Sequence, residues 1–108
     1  MFRRSAFAVL LIATGLQSPS SRAETTTIAQ EGKKFSQSEA TVKVGDSITY
    51  VNKDPVAHDV FSASPGMEFD LRTQHPGESS TIQFDKPGVA EVRCAIHPQM
   101  KMTVTVEK

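Results

Sequence analysis

The chain has 108 residues, and its 12 basic and 12 acidic residues give a formal net charge of +0. Without the three arginines of the N-terminal segment the charge is about −3, which argues against nucleic acid or an anionic membrane as the partner. A chain of this length suits one small domain, and such domains bury a modest core that commonly needs a disulfide, a metal or a partner subunit. The single cysteine, Cys94, excludes an internal disulfide and leaves an intermolecular bridge, a reactive thiol or a metal-bound thiolate.

The first 23 residues predict a secretory signal peptide. Two arginines at positions 3 and 4 precede an apolar run over 6–16, and Ser21-Arg22-Ala23 has the small-x-small form of a cleavage site. The apolar run is well short of the roughly twenty residues that span a bilayer, which argues against a membrane anchor. We therefore expect cleavage after Ala23 and a periplasmic or secreted domain of residues 24–108, with nine basic and twelve acidic residues and a formal charge of about −3.

From residue 24 onwards, apolar and polar residues alternate over short segments between turns rich in Gly, Pro, Asn and Asp, which is an all-β pattern. The segment 59–77 is less regular, and a strand near Val60 and Phe61 followed by a loop or a single helical turn over 67–71 fits it. Short strands at this spacing favour one domain built as a two-sheet sandwich. The predicted strands are, in chain order, Thr25–Ala29, Thr41–Val44, Ser47–Val51, Thr81–Phe84, Val89–Cys94 and Lys101–Val106.

The phase of the predicted strands brings several metal-binding side chains to the buried side. Side chains two residues apart share one face of a strand. In the last strand Met102, Val104 and Val106 point inward, and Met100 lies two residues before Met102, so it continues the inward series. In the preceding strand Ala90 and Val92 point inward, and Cys94 continues that series. Cysteine, histidine and methionine then lie together on the loop 94–100, and only His58 must arrive from elsewhere.

One thiolate, two imidazoles and one thioether form a donor set whose softness suits copper, and a His₂Cys site with a weak axial Met is typical of electron-transfer copper centres. Taken singly, each residue has a simpler interpretation, because a buried Cys or Met usually packs in a core and a His at a strand end is usually solvated or hydrogen-bonded. The combination Cys-Ala-Ile-His-Pro-Gln-Met in one loop, with a histidine upstream, favours the metal interpretation. The predicted ligands are His58, Cys94, His97 and Met100.

Other candidate side chains receive a structural interpretation. Met102 competes with Met100 as the thioether ligand, but its longer spacing from the cysteine and its place in the strand pattern suit packing. His75 lies in a Gln-His-Pro-Gly turn and is assigned no ligand role. Met67 and Phe69 could belong to the core or to an apolar docking patch, and we favour core or loop packing.

The sequence from Phe35 to Val106 resembles the cupredoxins, the type 1 blue copper proteins. Two motifs carry the resemblance: Val-x-Val-Gly-Asp-x-Ile-x-Tyr-x-Asn-x-Asp over 42–54, leading to His58, and Asp-Lys-Pro-Gly over 85–88, leading to Cys-x-x-His-Pro-x-Met over 94–100. The compact loop is most similar to the amicyanin type, since plastocyanin and azurin use longer loops. The resemblance implies a Greek-key β-sandwich of about seven to eight strands, with copper near one end held by the four predicted ligands and with His97 as the exposed ligand that passes the electron.

Two positions depart from the cupredoxin pattern. Cupredoxins commonly have Asn after the first His ligand and a hydroxyl residue after the Cys, which together hold the two ligand loops in register, whereas here these positions hold Asp59 and Ala95. That link is therefore missing or rebuilt. An acidic residue beside a ligand stabilises the more positive oxidised site, so we expect a lower reduction potential than that of an Asn form.

These inferences predict a protein that is not an enzyme but carries single electrons, and that docks transiently, near His97, to a dehydrogenase, an oxidase or a cytochrome. We expect a monomer without stable membrane insertion. A copper-binding or copper-delivery protein is the alternative, although it would need a more open and labile site. A hydrolase using Cys94 and His97 lacks any visible oxyanion hole or orienting acid, and structural zinc seldom accepts a thioether as its fourth ligand.

Overall fold

The computed structural model describes residues 22–108, so the predicted signal peptide, as far as Ser21, lies outside the described residues. Residues 22–108 form eight β-strands and no helix, and the all-β prediction is confirmed. The strands are β1 (Thr25–Gln30), β2 (Glu39–Lys43), β3 (Ser47–Asn52), β4 (His58–Ser62), β5 (Phe69–Gln74), β6 (Ser79–Gln83), β7 (Gly88–Cys94) and β8 (Lys101–Glu107).

The strands form two sheets that pack as a sandwich. The smaller sheet has three strands in the order β1-β3-β6, and the larger has five in the order β2-β8-β7-β4-β5. Two pairs, β1 with β3 and β2 with β8, are parallel, and the other pairs are antiparallel. The chain therefore crosses repeatedly between the sheets, and strands that are distant in sequence become neighbours in the larger sheet.

The core lies between the sheets and follows the period of two that extended strands impose. In β8 the side chains of Met102, Val104 and Val106 are at most 3% exposed, and in β7 Ala90 and Val92 are fully buried. Burying one such aliphatic side chain contributes about 1.5–3 kcal/mol. The predicted inward faces of these two strands are confirmed, and they fix which side chains project inward where the strands reach the end of the sandwich.

The prediction for the segment after β4 is wrong in one respect. The sequence predicts a loop or a single helical turn over 67–71, but Phe69–Gln74 form strand β5. The register between β4 and β5 shifts after Asp59, and Arg72 has a positive φ of 67°, so β5 lacks the regular alternation that a sequence pattern can reveal. Met67 and Phe69 pack against the core, as predicted.

The two ends of the sandwich carry different loops. The antiparallel pairing of Val60 with Cys94 brings the start of β4 next to the end of β7, so His58 and Cys94 lie at the same end. We call this the histidine end, and its loops are 31–38, 53–57, 75–78 and 95–100. The opposite end, called the far end, carries both termini of the described chain and the turns 44–46, 63–68 and 84–87.

The turn 44–46 is tied to the start of β1 by the carboxylate of Asp46. Its Oδ1 accepts a hydrogen bond from the amide of Glu24 at 2.9 Å, and its Oδ2 accepts one from the amide of Lys43 at 2.9 Å. The hydrogen bonds from the Glu24 and Lys43 amides hold the pKa of the Asp46 carboxyl below its ordinary value, because they favour the charged form.

We expect Asp46→Asn to lower the melting temperature at neutral pH, because the asparagine amide nitrogen cannot accept the second hydrogen bond. The folded-state pKa of Asp46 is depressed. Its contribution is therefore present above the unfolded-state pKa of about 3.9 and is lost as the pH falls through the folded-state pKa. Calorimetry over the acid range should show the two melting temperatures converging. The control is Asp85→Asn in an exposed turn at the same end, and a difference that persists at the lowest pH would contradict the assignment.

Candidate metal centre

His58 is the most constrained residue at the histidine end. It begins β4, its side chain is fully buried, and its Nε2 lies 2.7 Å from Oδ2 of Asp54. The Asp54 carboxylate also accepts hydrogen bonds from the amides of Gly32 at 2.6 Å and Lys33 at 2.9 Å. A carboxylate that accepts the proton of Nε2 leaves the lone pair on Nδ1, which is the tautomer a metal needs on that atom.

The charge of Asp54 is stabilised in a buried position. Burial raises the pKa of the Asp54 carboxyl, but the hydrogen bonds from Lys33, His58 and Gly32 outweigh burial, and the pKa lies below its ordinary value. The sequence alone indicates no role for Asp54 at the site. The signal that could have revealed it is an acidic residue in a turn, four positions before a histidine that opens a buried strand.

A buried amide network supports the loop that carries Asp54. The side-chain amide of Asn52 donates to the carbonyls of Val56 at 2.9 Å and Gln74 at 3.0 Å, and its oxygen accepts from the Asp54 amide at 2.9 Å. The Gln74 side chain in turn accepts from the side-chain nitrogen of Gln30 at 2.7 Å. The loop 53–57 is therefore held by hydrogen bonds to Asn52 of β3 and, through the Lys53 amide, to Gln30 of β1, while Asn52 is itself bonded to β5.

Cys94 ends β7 and faces His58. Its side chain is 1% exposed, and its Sγ lies 3.6 Å from Nδ1 of His58. The sulfur accepts a hydrogen bond from the amide of Asp59 at 3.4 Å, and the amide of Ala95 donates to the carbonyl of Asp59 at 2.8 Å. The link between the two ligand loops is thus rebuilt from main-chain hydrogen bonds, which do not depend on the side chains at 59 and 95.

His97 approaches the same point from the loop 95–100. Its Nδ1 lies 3.1 Å from Nδ1 of His58 and 3.8 Å from Sγ of Cys94, and the two imidazole rings meet edge to face at 68°. Burial lowers the pKa of His97, and the charges of His58 and Lys33 lower it further. A lowered pKa keeps the imidazole neutral, and neutral imidazole is the form that binds a metal.

The three side chains form one compact donor cluster. Nδ1 of His58, Sγ of Cys94 and Nδ1 of His97 all lie within 4.8 Å of one another. Nitrogen and sulfur ligands at about 2.0–2.3 Å from one ion are themselves about 3.3–3.8 Å apart in a trigonal or tetrahedral arrangement. The observed separations of 3.1 to 3.8 Å therefore fit a single shared metal ion.

The two methionines near the cluster have different surroundings. Met102 belongs to the hydrophobic core, and its sulfur accepts a hydrogen bond from the hydroxyl of Tyr50 at 3.6 Å. Met100 is 2% exposed but lies outside that core cluster. Its amide donates to the carbonyl of His97 at 2.9 Å, and its carbonyl accepts from the amide of Cys94 at 3.3 Å, so the ligand loop closes on itself. These surroundings agree with packing for Met102 and leave Met100 as the candidate thioether ligand.

Two further residues at the histidine end take no part in the cluster. His75 is exposed in its turn, where its amide donates to Oε1 of Glu78 at 2.6 Å. The pKa of Asp59 is raised to about 6, first by burial and then by the neighbouring carboxyl of Asp70. Oδ1 of Asp59 is buried and has no hydrogen-bond partner within residues 22–108.

Comparison with known proteins identifies the class to which this fold and site belong. Residues 23–107 match the family described as copper binding proteins, plastocyanin/azurin family. The match covers most of the chain, so the chain belongs to this family of copper-binding proteins, the cupredoxins. The resemblance inferred from the sequence motifs is confirmed, and so is copper as the cofactor.

The relatives found by sequence include amicyanins. Amicyanin-alpha of Methylorubrum extorquens is 32% identical over 77 residues, which are 68% of this chain and 65% of that protein. The amicyanin of Paracoccus denitrificans is 31% identical over 77 residues, 68% of this chain and 59% of that protein. The methylamine utilization protein MauL of Methylorubrum extorquens is 34% identical over 65 residues, 59% of this chain and 57% of that protein. The matches thus span 57 to 65% of the length of these relatives.

Solved structures show the same fold. The reduced state of an amicyanin variant is 27% identical with a TM-score of 0.69, and the match covers 77% of this chain and 82% of that one. A copper-containing nitrite reductase from Thermus scotoductus is 26% identical with a TM-score of 0.73, but the match covers 78% of this chain and only 22% of the reductase. That likeness is therefore to one part of the reductase. The Greek-key sandwich predicted from the motifs is confirmed.

The donor chemistry of the cluster agrees with the family's cofactor. One thiol and two imidazoles are donors that zinc also accepts, but the buried thioether nearby is a soft donor that favours copper, and the full set suits copper in both of its common oxidation states. Within residues 22–108 we find no apolar helix of membrane-spanning length.

We expect Asp54→Ala to reduce the free energy of unfolding of the metal-free protein by at least about 1–3 kcal/mol, the cost of leaving one buried partner unsatisfied. The change removes the acceptor of the Gly32 and Lys33 amides and of Nε2 of His58. Urea denaturation measures the difference. Glu78→Ala removes an exposed acceptor at the same end and should change the free energy of unfolding far less; equal effects of the two changes would contradict the role of Asp54.

Proposed function

We propose that this chain is an exported type 1 copper protein that carries single electrons between redox partners, with His58, Cys94, His97 and Met100 as the copper ligands. The observation that carries the proposal is the donor cluster, in which three ligand atoms lie within 4.8 Å of one another at one end of a rigid sandwich. When bound, copper supplies a Cu(I)/Cu(II) couple that gains or loses one electron.

The protein's own part is to hold the donors so that they move little when the charge of the site changes. His58 is held through its buried hydrogen bond to Asp54, and Cys94 is held by its strand and by the amide of Asp59. Donors fixed by the strands and by outer hydrogen bonds resist rearrangement. A small rearrangement means a small barrier to electron transfer, which supports a carrier over a protein that must release its metal.

His97 is the proposed route for the electron. It is half-buried on a loop, whereas His58 and Cys94 are buried, so it is the donor nearest to solvent. Ile96 beside it is 48% exposed and offers apolar contact area to a partner. We propose that a dehydrogenase, an oxidase or a cytochrome docks transiently at this surface.

The predicted signal peptide supports action in the periplasm or outside the cell after cleavage at Ala23. We propose that the mature domain acts as a monomer. The likeness to nitrite reductase does not argue for that enzyme's activity here, because it covers only 22% of the reductase chain. The proposed protein is a carrier and not an enzyme.

We expect Cu(II) added to metal-free, thiol-reduced protein to bind at one equivalent and to give the intense blue thiolate-to-copper band. Cys94→Ser should abolish the band, because the hydroxyl cannot replace the thiolate, and His58→Ala should weaken copper binding strongly. Optical titration and cyclic voltammetry measure both properties. His75→Ala is the matched histidine control and should change neither.

The same two measurements show which methionine is the ligand and distinguish an electron carrier from a copper-delivery protein. Met100→Gln should shift the band and lower the reduction potential, because an amide oxygen favours Cu(II) more than a thioether does, whereas Met102→Leu should leave both nearly unchanged. A protein that binds copper but shows no fast, reversible reduction would be a copper-binding or delivery protein. A colourless protein that holds zinc would refute the proposal.

We expect Asp59→Asn to raise the reduction potential, because it removes a negative charge beside a copper ligand and so makes the oxidised site less favourable. The carboxylate lies next to His58 and its pKa is raised to about 6, so the potential is best measured under mildly alkaline conditions, where the carboxyl is ionised. Asp85→Asn at the far end is the control for net charge. A fall in potential on Asp59→Asn would show that the charge argument is wrong.

A further inference from the structure

A groove of about 420 Å³ lies beside the ligand loop, between the loop 31–38 and the start of β8. Three of the residues that line it are exposed lysines, Lys33, Lys34 and Lys101, and Met100 contributes to its wall. We call the three lysines and the groove between them the basic face. The basic face therefore adjoins the candidate copper ligands directly.

The position of the basic face is fixed by the same contacts that fix the site. The amide of Lys33 donates to the Asp54 carboxylate at 2.9 Å, and Asp54 binds His58. The loop 31–38 thus joins the ligand environment to a positively charged surface.

The positive charge of the basic face is not neutralised by ion pairs. In the described part of the chain, the ion pairs join His58 to Asp54 and Arg93 to Glu91, and neither involves a lysine. At the same end Asp54 is buried against His58, Asp59 is half-buried and Glu78 accepts the His75 amide, so Glu31 and Glu39, one at each end of the loop 31–38, are the exposed acids nearest to the lysines.

The far end is net acidic. It carries five acidic residues, Glu24, Asp46, Glu68, Asp85 and Glu107, against the three lysines Lys43, Lys86 and Lys108. The predicted mature chain has a formal charge of about −3, so its net charge repels anions, whereas the three lysines that line the groove carry the opposite charge. Screening has a length of about 8–10 Å at physiological ionic strength, so a docking partner feels the local lysines more than the distant acids.

We propose that the basic face binds an acidic surface on the redox partner and aligns that partner with His97. The inference rests on the proposed electron-carrier function and adds the chemistry of the partner to it. The exposed apolar side chain of Ile96 supplies contact close to His97, and the lysines at its side supply charge complementarity, which determines the encounter rate and the choice of partner.

The experiment uses the copper-loaded protein and two small oxidants of opposite charge. One electron passes from the reduced protein to hexacyanoferrate(III), giving hexacyanoferrate(II), or to tris(phenanthroline)cobalt(III), giving the cobalt(II) complex. Stopped-flow rate constants are measured between about 0.01 and 0.1 M ionic strength, over which the Debye length falls from about 30 to 10 Å. We expect the rate constant of the anionic oxidant to fall and that of the cationic oxidant to rise as salt is added, the reverse of what the net charge predicts.

Two matched triple variants show which end of the domain attracts the anionic oxidant. Lys33→Glu, Lys34→Glu and Lys101→Glu reverse the basic face, and Lys43→Glu, Lys86→Glu and Lys108→Glu make the same net change at the far end. We expect the first variant to slow the anionic oxidant about tenfold or more at low salt, within the range that electrostatic steering produces, and the second to change it far less. Equal effects of the two variants would overturn the inference, because net charge alone would then govern the rate.

A third variant tests whether the effect survives a milder change that disturbs folding less. A second probe tests whether the partner surface is acidic protein. Lys33→Gln, Lys34→Gln and Lys101→Gln should give the same direction with a smaller effect while the blue band is retained. Poly-glutamate, as a surrogate for an acidic protein surface, should perturb the amide resonances of residues 31–38 and 95–101 in the reduced protein. Perturbation mainly at the far end, or by single-stranded DNA and not by poly-glutamate, would overturn the acidic-protein assignment. A protein that holds no copper or exchanges no electrons would refute the proposed function itself.

Discussion

The carboxylate of Asp54 is the contact on which the histidine end depends. It joins the amides of Gly32 and Lys33 to Nε2 of His58, and thereby connects the loop after β1 with the loop before β4. Because the carboxylate is buried, these charge-assisted hydrogen bonds act in a medium of low dielectric, where they are strong and costly to break. The direction of Nδ1 of His58, one of the three donor atoms of the cluster, follows from this one side chain.

The sandwich divides the tasks of the proposed electron carrier between strands and loops. β4 and β7 hold His58 and Cys94 in buried positions on paired strands, which favours a site that rearranges little when its charge changes. The loop 95–100 brings His97 towards solvent, and the loop 31–38 both supports Asp54 and presents lysines. Rigidity at the metal and access for a partner are thus obtained in neighbouring segments, since only the loops need to reach the surface.

The link between the two ligand loops shows how the family pattern can change without loss of geometry. Cupredoxins commonly use side chains at the positions of Asp59 and Ala95 for this link, and this chain uses the Asp59 amide and carbonyl. Main-chain hydrogen bonds are available to any residue, so the side chain at 59 is free to carry a charge. The consequence is electrostatic, because a carboxyl now lies next to a candidate ligand.

The sequence by itself determined the all-β class, the inward faces of β7 and β8, and the four candidate ligands, because period-two burial and the loop spacing are local properties of the chain. It did not determine strand β5, since the bulge after Asp59 and the positive φ of Arg72 remove the local pattern. Nor did it reveal the role of Asp54, which depends on the amides of Gly32 and Lys33. The basic face was not predicted either, because it depends on Lys33 and Lys101 lining the same groove. Only the tertiary structure decides such contacts, because the local sequence around a residue does not show which distant residue will lie next to it in the fold.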